Sequence, residues 1–338
     1  MDFEHLASLL AVDELVERIE RVEQRLSEAL LLDGVGLGPP ASRMALSGGK
    51  RLRPVMVIAA AHIFDVFDDR VVSGAAAVEL VQVGSLVHDD IFDNASTRRG
   101  VPTINATDGD EPAILAGDYI LARAGVEASR VSAEAARVLA GTVIELCIGQ
   151  HQETVQLDDR QRTIEQHFSS IEAKTAALFD VSARMGGLAA DAPVELVDAI
   201  GTYARAFGMS FQIVDDVLDL VADPARLGKP VGSDLRAGVY TLPVLHAMSG
   251  DRGEELCRML DGPVDNDVSA VASRIVAESG GIEQALAAAL EFERTAVSAL
   301  DSFDGHPTVA GFRELPEQYR IWALSTLGDN LAVGPADT

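Results

Sequence analysis

Apolar side chains recur every three or four residues along most of the chain, which is the spacing of amphipathic α-helices. The first run covers residues 4 to 32 and ends in the Gly/Pro segment DGVGLGPP. A second helix is predicted from about 42 to 66, entered through the loop SGGKRLRP. Further helices are predicted at residues 71–93, 112–129, 133–156, 161–190, 195–222, 239–250, 252–260, 267–279, 282–304 and 317–331.

Strand and linker signals are weak throughout. No stretch alternates apolar and polar residues long enough to predict a sheet, and no break in composition is long enough for a domain linker. We therefore predict an all-α chain that forms a single domain over residues 1–338, with a frayed tail at 333–338.

Composition narrows the function classes. The net charge of −26 argues against nucleic acid and anionic membranes as partners. Cys147 and Cys257 are too few for a disulfide framework and are interpreted as reduced, buried, inert thiols. The acidic N-terminus does not resemble a signal peptide, and no run of eighteen apolar residues occurs. We therefore expect a cytoplasmic protein that is not an integral membrane protein.

Two aspartate clusters stand in apolar surroundings. QVGSLVHDDIFDNASTRRG (82–100) and, about 125 residues later, FQIVDDVLD (211–219) both place carboxylates at i, i+1 and i+4. Aspartates four apart share a helix face, where like charges are destabilising unless a cation lies between them. One such pair usually lies on a solvated face, but the recurrence favours metal binding. Oxygen ligands without His or Cys indicate magnesium rather than zinc.

Basic residues complete this pattern. Lys50, Lys174 and Lys229 are the only lysines, and each lies in a candidate phosphate-binding segment. Arg51 and Arg53 lie in the first of these segments together with Lys50, and a pair of arginines follows the first aspartate cluster. The GGK sequence lacks the rest of a P-loop. Arginine forks together with lysine point charges suit diphosphates, although each basic residue taken alone is more often a solvated charge.

These segments together resemble the motif series of the trans-isoprenyl diphosphate synthases. In chain order they are GGKRLRP (48–54), DDIFD with RRG (89–100), GDYIL (117–121), KT (174–175), FQIVDDVLD (211–219) and LGKPVGSDL with TLP (227–243). The resemblance is strong over roughly residues 40 to 245 and loose over the remaining helices.

The resemblance implies a large all-helical bundle around a deep central cavity, usually a homodimer, and assigns the site residues. Metal ligands for a cluster of two or three Mg²⁺ ions would be Asp89, Asp93, Asp215 and Asp219. Residues with catalytic roles would be Asp89, Asp90, Asp93, Asp215, Asp216 and Lys174. The allylic diphosphate would be bound by Arg98, Lys174, Thr175, Gln212 and Lys229. Isopentenyl diphosphate would be bound by Lys50, Arg53, Arg99 and Gln82.

The implied reaction is a head-to-tail condensation. Metals and cations stabilise the departing diphosphate, the isopentenyl double bond attacks the allylic carbocation, and a proton is lost. No Ser, Cys or His nucleophile is needed, so His88 is interpreted as an orienting or packing residue. Two positions depart from the family pattern: Gln82 replaces a common His, and Val239 replaces a common Lys that contacts diphosphate.

Chain length should depend on what blocks the cavity below the first aspartates. Gly84, Ser85 and Val81 lie one to two turns below Asp89 and are small or modest. This predicts a product of about C30 to C50, such as a quinone side chain, from a farnesyl or geranylgeranyl primer. The alternative for Gly84 is close helix packing. Replacing Gly84 by Tyr is expected to shorten the product.

Three rival functions stay open at this point. A short-chain farnesyl or geranylgeranyl diphosphate synthase would share every motif. A terpene cyclase would share the fold, but Lys50 and Arg53 and the second DDxxD motif argue against it. A non-catalytic regulatory subunit of a heteromeric prenyltransferase usually lacks one aspartate motif, and both are present here.

Overall fold

The structure, a computed structural model of the chain, describes residues 1–31, 36–221, 232–303 and 305–325. Within these ranges the regular secondary structure is helical apart from a two-stranded antiparallel ribbon. The elements are α1 Phe3–Leu10, α2 Leu15–Leu30, α3 Gly38–Ala45, α4 Leu52–His62, α5 Asp69–Phe92, β1 Thr97–Arg98, β2 Val101–Pro102, α6 Ile104–Asp108, α7 Asp110–Val131, α8 Ala133–Val155, α9 Ile164–Ile171, a π-helical segment Glu172–Ala176, α10 Ala177–Ala189, α11 Val194–Val221, α12 Ser233–Arg236, α13 Leu242–Met248, α14 Gly253–Met259, α15 Asn266–Glu278, α16 Gly281–Ala299 and α17 Pro307–Ser325.

The chain divides into two compact units. The first unit contains Met1–Glu145, Ala177–Arg205 and Val297–Arg313, and the second contains Leu146–Ala176, Ala206–Ala296 and Glu314–Thr338. The all-α class predicted from the sequence is confirmed. The single domain stays a prediction, and the predicted frayed tail lies outside the described residues.

Helix α5 forms the centre of the first unit. Asp68 caps its N-terminus by accepting hydrogen bonds from the amides of Arg70 and Val71. Small residues such as Gly74 then let α5 pack closely against α4, α7 and α10. Among the described helices, α5 alone is long and apolar enough to cross a membrane, but 78% of its apolar stretch is buried inside the protein. That burial is typical of a core helix.

Aromatic packing holds α11 in the second unit. Phe207 and Phe211, one turn apart on α11, both contact Tyr319 of α17, and the ring centroids of Phe211 and Tyr319 lie 4.7 Å apart. Offset aromatic contacts of this kind stabilise beyond the apolar area they bury. They fix the helix that carries the second aspartate motif.

Several predicted boundaries were wrong for local reasons. The N-terminal helix is two helices, because Ala11 takes a left-handed conformation that ends α1. The helix predicted from 42 to 66 is also two, since Gly48 and Gly49 have φ of +88° and +127° and cannot continue a helix. The last helix begins at Pro307, ten residues earlier than predicted. The β1–β2 ribbon was missed because two-residue strands leave no alternation to detect.

The predicted burial of the two cysteines was also wrong. Both are free thiols in the described structure, as expected, but Cys257 is only half-buried and Cys147 is exposed. It lies on an outward face of α8 together with Ile144 and Ile148, which are exposed as well. An apolar sequence context predicted burial, and the structure leaves this apolar face uncovered.

Candidate functional site

The first aspartate motif closes helix α5. Asp93 is the C-terminal cap and is exposed, while Asp89 is half-buried one turn earlier. Below Asp89, the side chains of Gln82, Ser85 and Leu86 are also half-buried, at the spacing of one helix face. These residues form a half-exposed stripe of α5 that runs along the helix from Asp89 toward its N-terminus.

Asp90 points the other way, into the protein. Its side chain is 1% exposed, and Oδ1 accepts a hydrogen bond from Nε of Arg98 at 2.8 Å and forms an ion pair with Nη2 of Arg98 at 2.6 Å. Burial raises the pKa of Asp90, and the Arg98 guanidinium opposes that rise. Asn105 donates to the main-chain oxygens of Asp90 and Ala95 and so fixes the turn after the motif. Asp90 therefore orients an arginine rather than facing outward.

The RRG sequence forms the tip of the β1–β2 ribbon. Arg99 and Gly100 both have positive φ, as a two-residue hairpin loop requires. This turn lays the Arg99 guanidinium across Gly49, where a Cβ would lie 2.7 Å from Cζ, and Nη1 donates to the Gly48 carbonyl. A side chain at position 49 would therefore displace Arg99. The predicted isopentenyl residue Arg99 thus reaches the loop that carries Lys50.

Arg53 completes this basic group in the first unit. Its guanidinium lies 4.6 Å from the centroid of the Phe179 ring. Loss of water lowers its pKa to about 10, with Glu79 opposing and Arg99 adding to the shift. The mutual effect of Arg53 and Arg99 means that these two predicted isopentenyl residues lie within electrostatic reach of each other. Lys50 is exposed.

Arg51 has a structural function that the sequence did not reveal. It is 3% exposed, ion-pairs with Glu79 of α5 and Glu23 of α2, and donates to the carbonyl of Ala45. Breaking a buried ion pair leaves an uncompensated charge, so this contact anchors the loop between α3 and α4. The only sequence signal was an acidic residue, Glu79, within the apolar run of α5.

Two glycines explain the close contact between α5 and α7. The imidazole of His88 lies directly over Gly117, so any side chain there would collide with the ring, and Nε2 of His88 lies 3.2 Å from the Ile114 carbonyl. A Cβ on Gly84 would lie 2.9 Å from Cγ of Leu121. The packing function predicted for His88 fits this geometry. For Gly84, the contacts support the alternative of close helix packing, and its effect on chain length stays a prediction.

The second aspartate motif lies near the end of α11. Asp215 is exposed, whereas Asp216 and Asp219 are 3% and 5% exposed. Oδ1 of Asp219 accepts from the Ser233 hydroxyl, and Oδ2 accepts from the amide of Asp234 at 3.0 Å. The carboxylate of Asp219 therefore fastens the start of α12 to α11.

Asp216 orients two residues predicted to bind the allylic diphosphate. Its Oδ1 accepts from Nε2 of Gln212 at 2.8 Å, and Oε1 of Gln212 accepts from the Thr175 hydroxyl at 2.9 Å. Burial raises the pKa of Asp216 well above its usual range. The structure thus brings Asp216, Gln212 and Thr175 into one hydrogen-bonded chain within the second unit.

The KT motif lies in the π-helical segment between α9 and α10. Such segments re-aim side chains within a helix and are frequent at functional sites. A Cβ on Gly149 would lie 2.6 Å from the amide nitrogen of Lys174, so this glycine lets the segment approach α8. The ammonium of Lys174 lies 2.5 Å from a carboxylate oxygen of Glu153. Glu153 was not predicted, because nothing local in the sequence links it to Lys174.

The donor set fits a hard divalent cation. Both motifs offer only carboxylate oxygens, near the C-terminal ends of helices, where the helix dipole disfavours negative charge. A bound cation would relieve that repulsion at Asp89 and Asp93, in and just after the last turn of α5, whereas Asp215 lies six residues before the end of α11. No three His, Cys, Asp or Glu side chains of the described residues lie close enough to hold an ion by themselves. Magnesium typically takes one or two carboxylates and completes its shell with water and substrate phosphates.

Two of the positions considered in the sequence, Lys229 and Val239, remain to be placed. Lys229 lies outside the described residues. Val239 is half-buried, and its amide donates to the carbonyl of Asp234 at 2.8 Å, so this position is tied to the start of α12 through the main chain.

Comparisons with known proteins agree on one family. The profile of the family described as polyprenyl synthetase matches residues 37–276. A heptaprenyl diphosphate synthase component 2 from Geobacillus stearothermophilus is 38% identical over 299 residues, 87% of this chain and 91% of that protein. A nonaprenyl diphosphate synthase from Mycobacterium tuberculosis is 37% identical over 252 residues, 74% and 75% of the two chains. A polyprenyl synthase from Caulobacter crescentus, crystallised with calcium and isoprenyl diphosphate, superposes with a TM-score of 0.85 at 28% identity, covering 94% of this chain and 97% of that one.

Proposed function

Since the chain belongs to the polyprenyl synthetase family, and is thus a prenyltransferase, we propose that it is a magnesium-dependent trans-polyprenyl diphosphate synthase. It would condense isopentenyl diphosphate with farnesyl or geranylgeranyl diphosphate. The observation that supports this proposal most is that Asp90 and Asp216 have the same function in the two motifs. Each is buried and orients a residue predicted to bind the allylic diphosphate. A regulatory subunit would have no need for both arrangements.

Isopentenyl diphosphate would bind to the basic group of the first unit. Arg53 and Arg99 offer guanidinium forks, and Lys50 adds a point charge from the same loop. Burial is the main cause of the lowered pKa of Arg53 and Arg99 adds to it, so an anion bound beside the two guanidinium groups would be favourable. The Arg51–Glu79 ion pair keeps the loop in place when the site is empty.

The allylic diphosphate would be bound by residues that are already held in position. Asp90 fixes Arg98, and Asp216 fixes Gln212 and Thr175, so little side-chain entropy is lost on binding. Lys174 is paired with Glu153 in the free protein. A diphosphate carries more charge than one carboxylate and would compete for this lysine.

Asp89, Asp93, Asp215 and Asp219 would hold the magnesium ions. When bound, magnesium neutralises the diphosphate as it departs and so favours carbocation formation. Asp219 already accepts two hydrogen bonds from α12, so we assign the main ligand function to the other three aspartates. The proton lost after carbon–carbon bond formation needs no protein nucleophile.

The growing chain would follow the half-exposed stripe of α5. Counting about 100° per residue, Ser85 and Gln82 lie within about 40° of Asp89 around the helix, whereas Gly84 lies about 140° away. The side chain of Ser85 is small and leaves the stripe open, and we propose a product of about C30 to C50 on this ground. The nonaprenyl and heptaprenyl relatives differ in their named chain length, so similarity alone does not choose one.

Assembly and location belong to the same proposal. Ile114, Leu115 and Val126 of α7 and Ile144 of α8 are exposed apolar residues of the first unit, which suit contact with a second copy. We propose a cytoplasmic homodimer. The Geobacillus relative is named as one component of an enzyme, so the alternative is a partner subunit. Light scattering during size exclusion separates a dimer from a monomer that needs another chain.

Product sizing tests the proposal. The purified chain is given magnesium, isopentenyl diphosphate and either farnesyl or geranylgeranyl diphosphate, and the dephosphorylated products are separated by length. We expect products of about C30 to C50, and none when magnesium is chelated. Products that stop at C15 or C20 would contradict the chain-length proposal. No product from the purified chain alone would favour the regulatory subunit.

A further inference from the structure

The hydrogen-bonded chain at the second aspartate motif does not end at Asp216. The imidazole of His167 on α9 faces it, with Nε2 lying 3.4 Å from Oδ2 of Asp216. His167 is 1% exposed and Asp216 is 3% exposed. Among the described residues, Nδ1 and Nε2 of His167 and Oδ2 of Asp216 are buried and have no hydrogen-bond partner. Since buried polar groups are expected to be hydrogen-bonded, we take His167 and Asp216 to be each other's partner.

This contact does not depend on how the proton is placed. If Asp216 is ionised, neutral His167 donates from Nε2, and if Asp216 is protonated, its Oδ2 donates to that nitrogen. Burial and the nearby Arg162 lower the pKa of His167 to about 3, so the ring is neutral in either case. His167 is also too deeply buried to reach a substrate. It can act only through Asp216.

The element that carries His167 is rigid. Thr163 and Gln166 form a reciprocal capping box at the start of α9, and the amide of His167 donates to the Thr163 carbonyl. Arg162, directly before the cap, donates to the carbonyl of Tyr240 at 3.1 Å. His167 therefore offers Asp216 a fixed partner on the helix that runs directly into the π-helical segment.

We infer that His167 is a positioning residue for the allylic diphosphate site. Through Asp216 and Gln212 it fixes the Thr175 hydroxyl, and with it the π-helical turn that presents Lys174. The inference rests on the proposed function, because Lys174 and Thr175 are diphosphate ligands only if the chain is a prenyltransferase of this kind. It adds a residue that no motif contains.

Steady-state kinetics of three variants test it. His167→Phe keeps a ring and removes both nitrogens, and His167→Gln retains an amide that can meet Asp216. Ser170→Ala is the matched control, since Ser170 is also fully buried on α9 without a hydrogen-bond partner among the described residues. We expect His167→Phe to raise the KM for the allylic diphosphate about tenfold, as loss of a partner behind a ligand typically does. The KM for isopentenyl diphosphate should change less than about twofold, and His167→Gln should recover most of the loss.

A double-mutant cycle separates positioning from general packing. In a Thr175→Val background, His167→Phe should add less than about twofold, because its effect is transmitted through Thr175. An unchanged allylic KM, equal increases in both KM values, or the same tenfold effect in the Thr175→Val background would each overturn the inference.

Folding is followed by thermal unfolding. If His167→Phe does not fold, His167→Met replaces it with a flexible side chain of similar size, and the same outcomes apply. Wild-type turnover is measured in the same assay. Absence of wild-type product contradicts the proposed function, whereas normal wild-type turnover with an unaffected His167 variant contradicts only this inference.

Discussion

The ends of α5 and α11 carry the same arrangement of three aspartates but use the third one differently. At α5, Asp93 caps the helix and is exposed. At α11, Asp219 is buried and accepts from the Ser233 hydroxyl and the Asp234 amide. The middle aspartates behave alike, since each is buried and orients a residue predicted to bind diphosphate. Equal spacing therefore determines which aspartates lie on the same face of a helix. It does not determine which groups those carboxylates contact.

The aspartates of one motif can therefore have two different functions. Outward carboxylates meet solvent and can take a cation, while inward carboxylates stabilise the surrounding backbone and side chains. Substitutions at matching positions of the two motifs should therefore agree at the first and second aspartates and disagree at the third.

The largest effect is expected at the first aspartates. Asp89→Asn and Asp215→Asn should each lower kcat on the order of a hundredfold to a thousandfold, because each removes charge that would hold the metal at the leaving diphosphate. Product formation measured with radiolabelled isopentenyl diphosphate checks this. Glu195→Gln, which removes an exposed carboxylate in the first turn of α11, is the control and should remain near wild type. A fall in kcat for only one of the two variants would contradict the equal function assigned to Asp89 and Asp215.

The middle aspartates should give an intermediate effect. Asp90→Asn and Asp216→Asn are expected to lower kcat/KM for the allylic diphosphate about 10- to 100-fold, since Arg98 and Gln212 lose an oriented partner. The change should appear mainly in KM, which distinguishes positioning from metal binding. If kcat falls as far as in the Asp89 variant while KM is constant, the middle aspartates are ligands and this assignment is wrong.

The third aspartates should separate the two motifs by stability. Asp219→Asn places an amide opposite the Asp234 amide and should cost about 1–3 kcal/mol. Asp93→Asn, on an exposed cap, should stay within about 0.5 kcal/mol. Urea unfolding without metal measures both, with hydrogen exchange of residues 232–236 as a local readout. Equal losses of stability in the two variants would contradict the different functions assigned to Asp93 and Asp219.

The glycines behind each motif should affect stability without any change in charge. Gly149→Ala should destabilise by about 1–3 kcal/mol, because the added Cβ meets the backbone of Lys174. Gly117→Ala should cost less, since the His88 ring can rotate and alanine favours the helix. Gly125→Ala on α7, where nothing lies within 4 Å, is the control and should be neutral or stabilising. Thermal unfolding ranks the three, and a reversed order would contradict these contacts.

The sequence predicted long helices well and tertiary partners poorly. The helix expected at 71–93 is found at Asp69–Phe92, because its apolar run is long and uninterrupted. The two aspartate clusters were recognised from their spacing, the other site residues were assigned from the family resemblance, and the roles of all of them stay predictions. The Arg51–Glu79 ion pair and the Lys174–Glu153 contact were not, because each joins residues 21 or more positions apart. The π-helical turn was missed because a one-residue insertion does not disturb apolar spacing over a long helix.

The same reason explains the ambiguity at Gly84. Sequence spacing located it below Asp89 but not the direction in which it faces, and the structure turns it toward Leu121 of α7. Ser85 is thus the better position for testing chain length.

Calorimetry of farnesyl diphosphate binding tests the central claim most directly, because it measures the affinity for the allylic diphosphate without turnover. Wild type, Asp89→Asn and Asp215→Asn are titrated with and without magnesium. We predict tight binding only for wild type with magnesium, with both variants weakened. Binding that is equally tight without magnesium, or unaffected by either substitution, would contradict the assignment of the two aspartate motifs to a shared metal–diphosphate function.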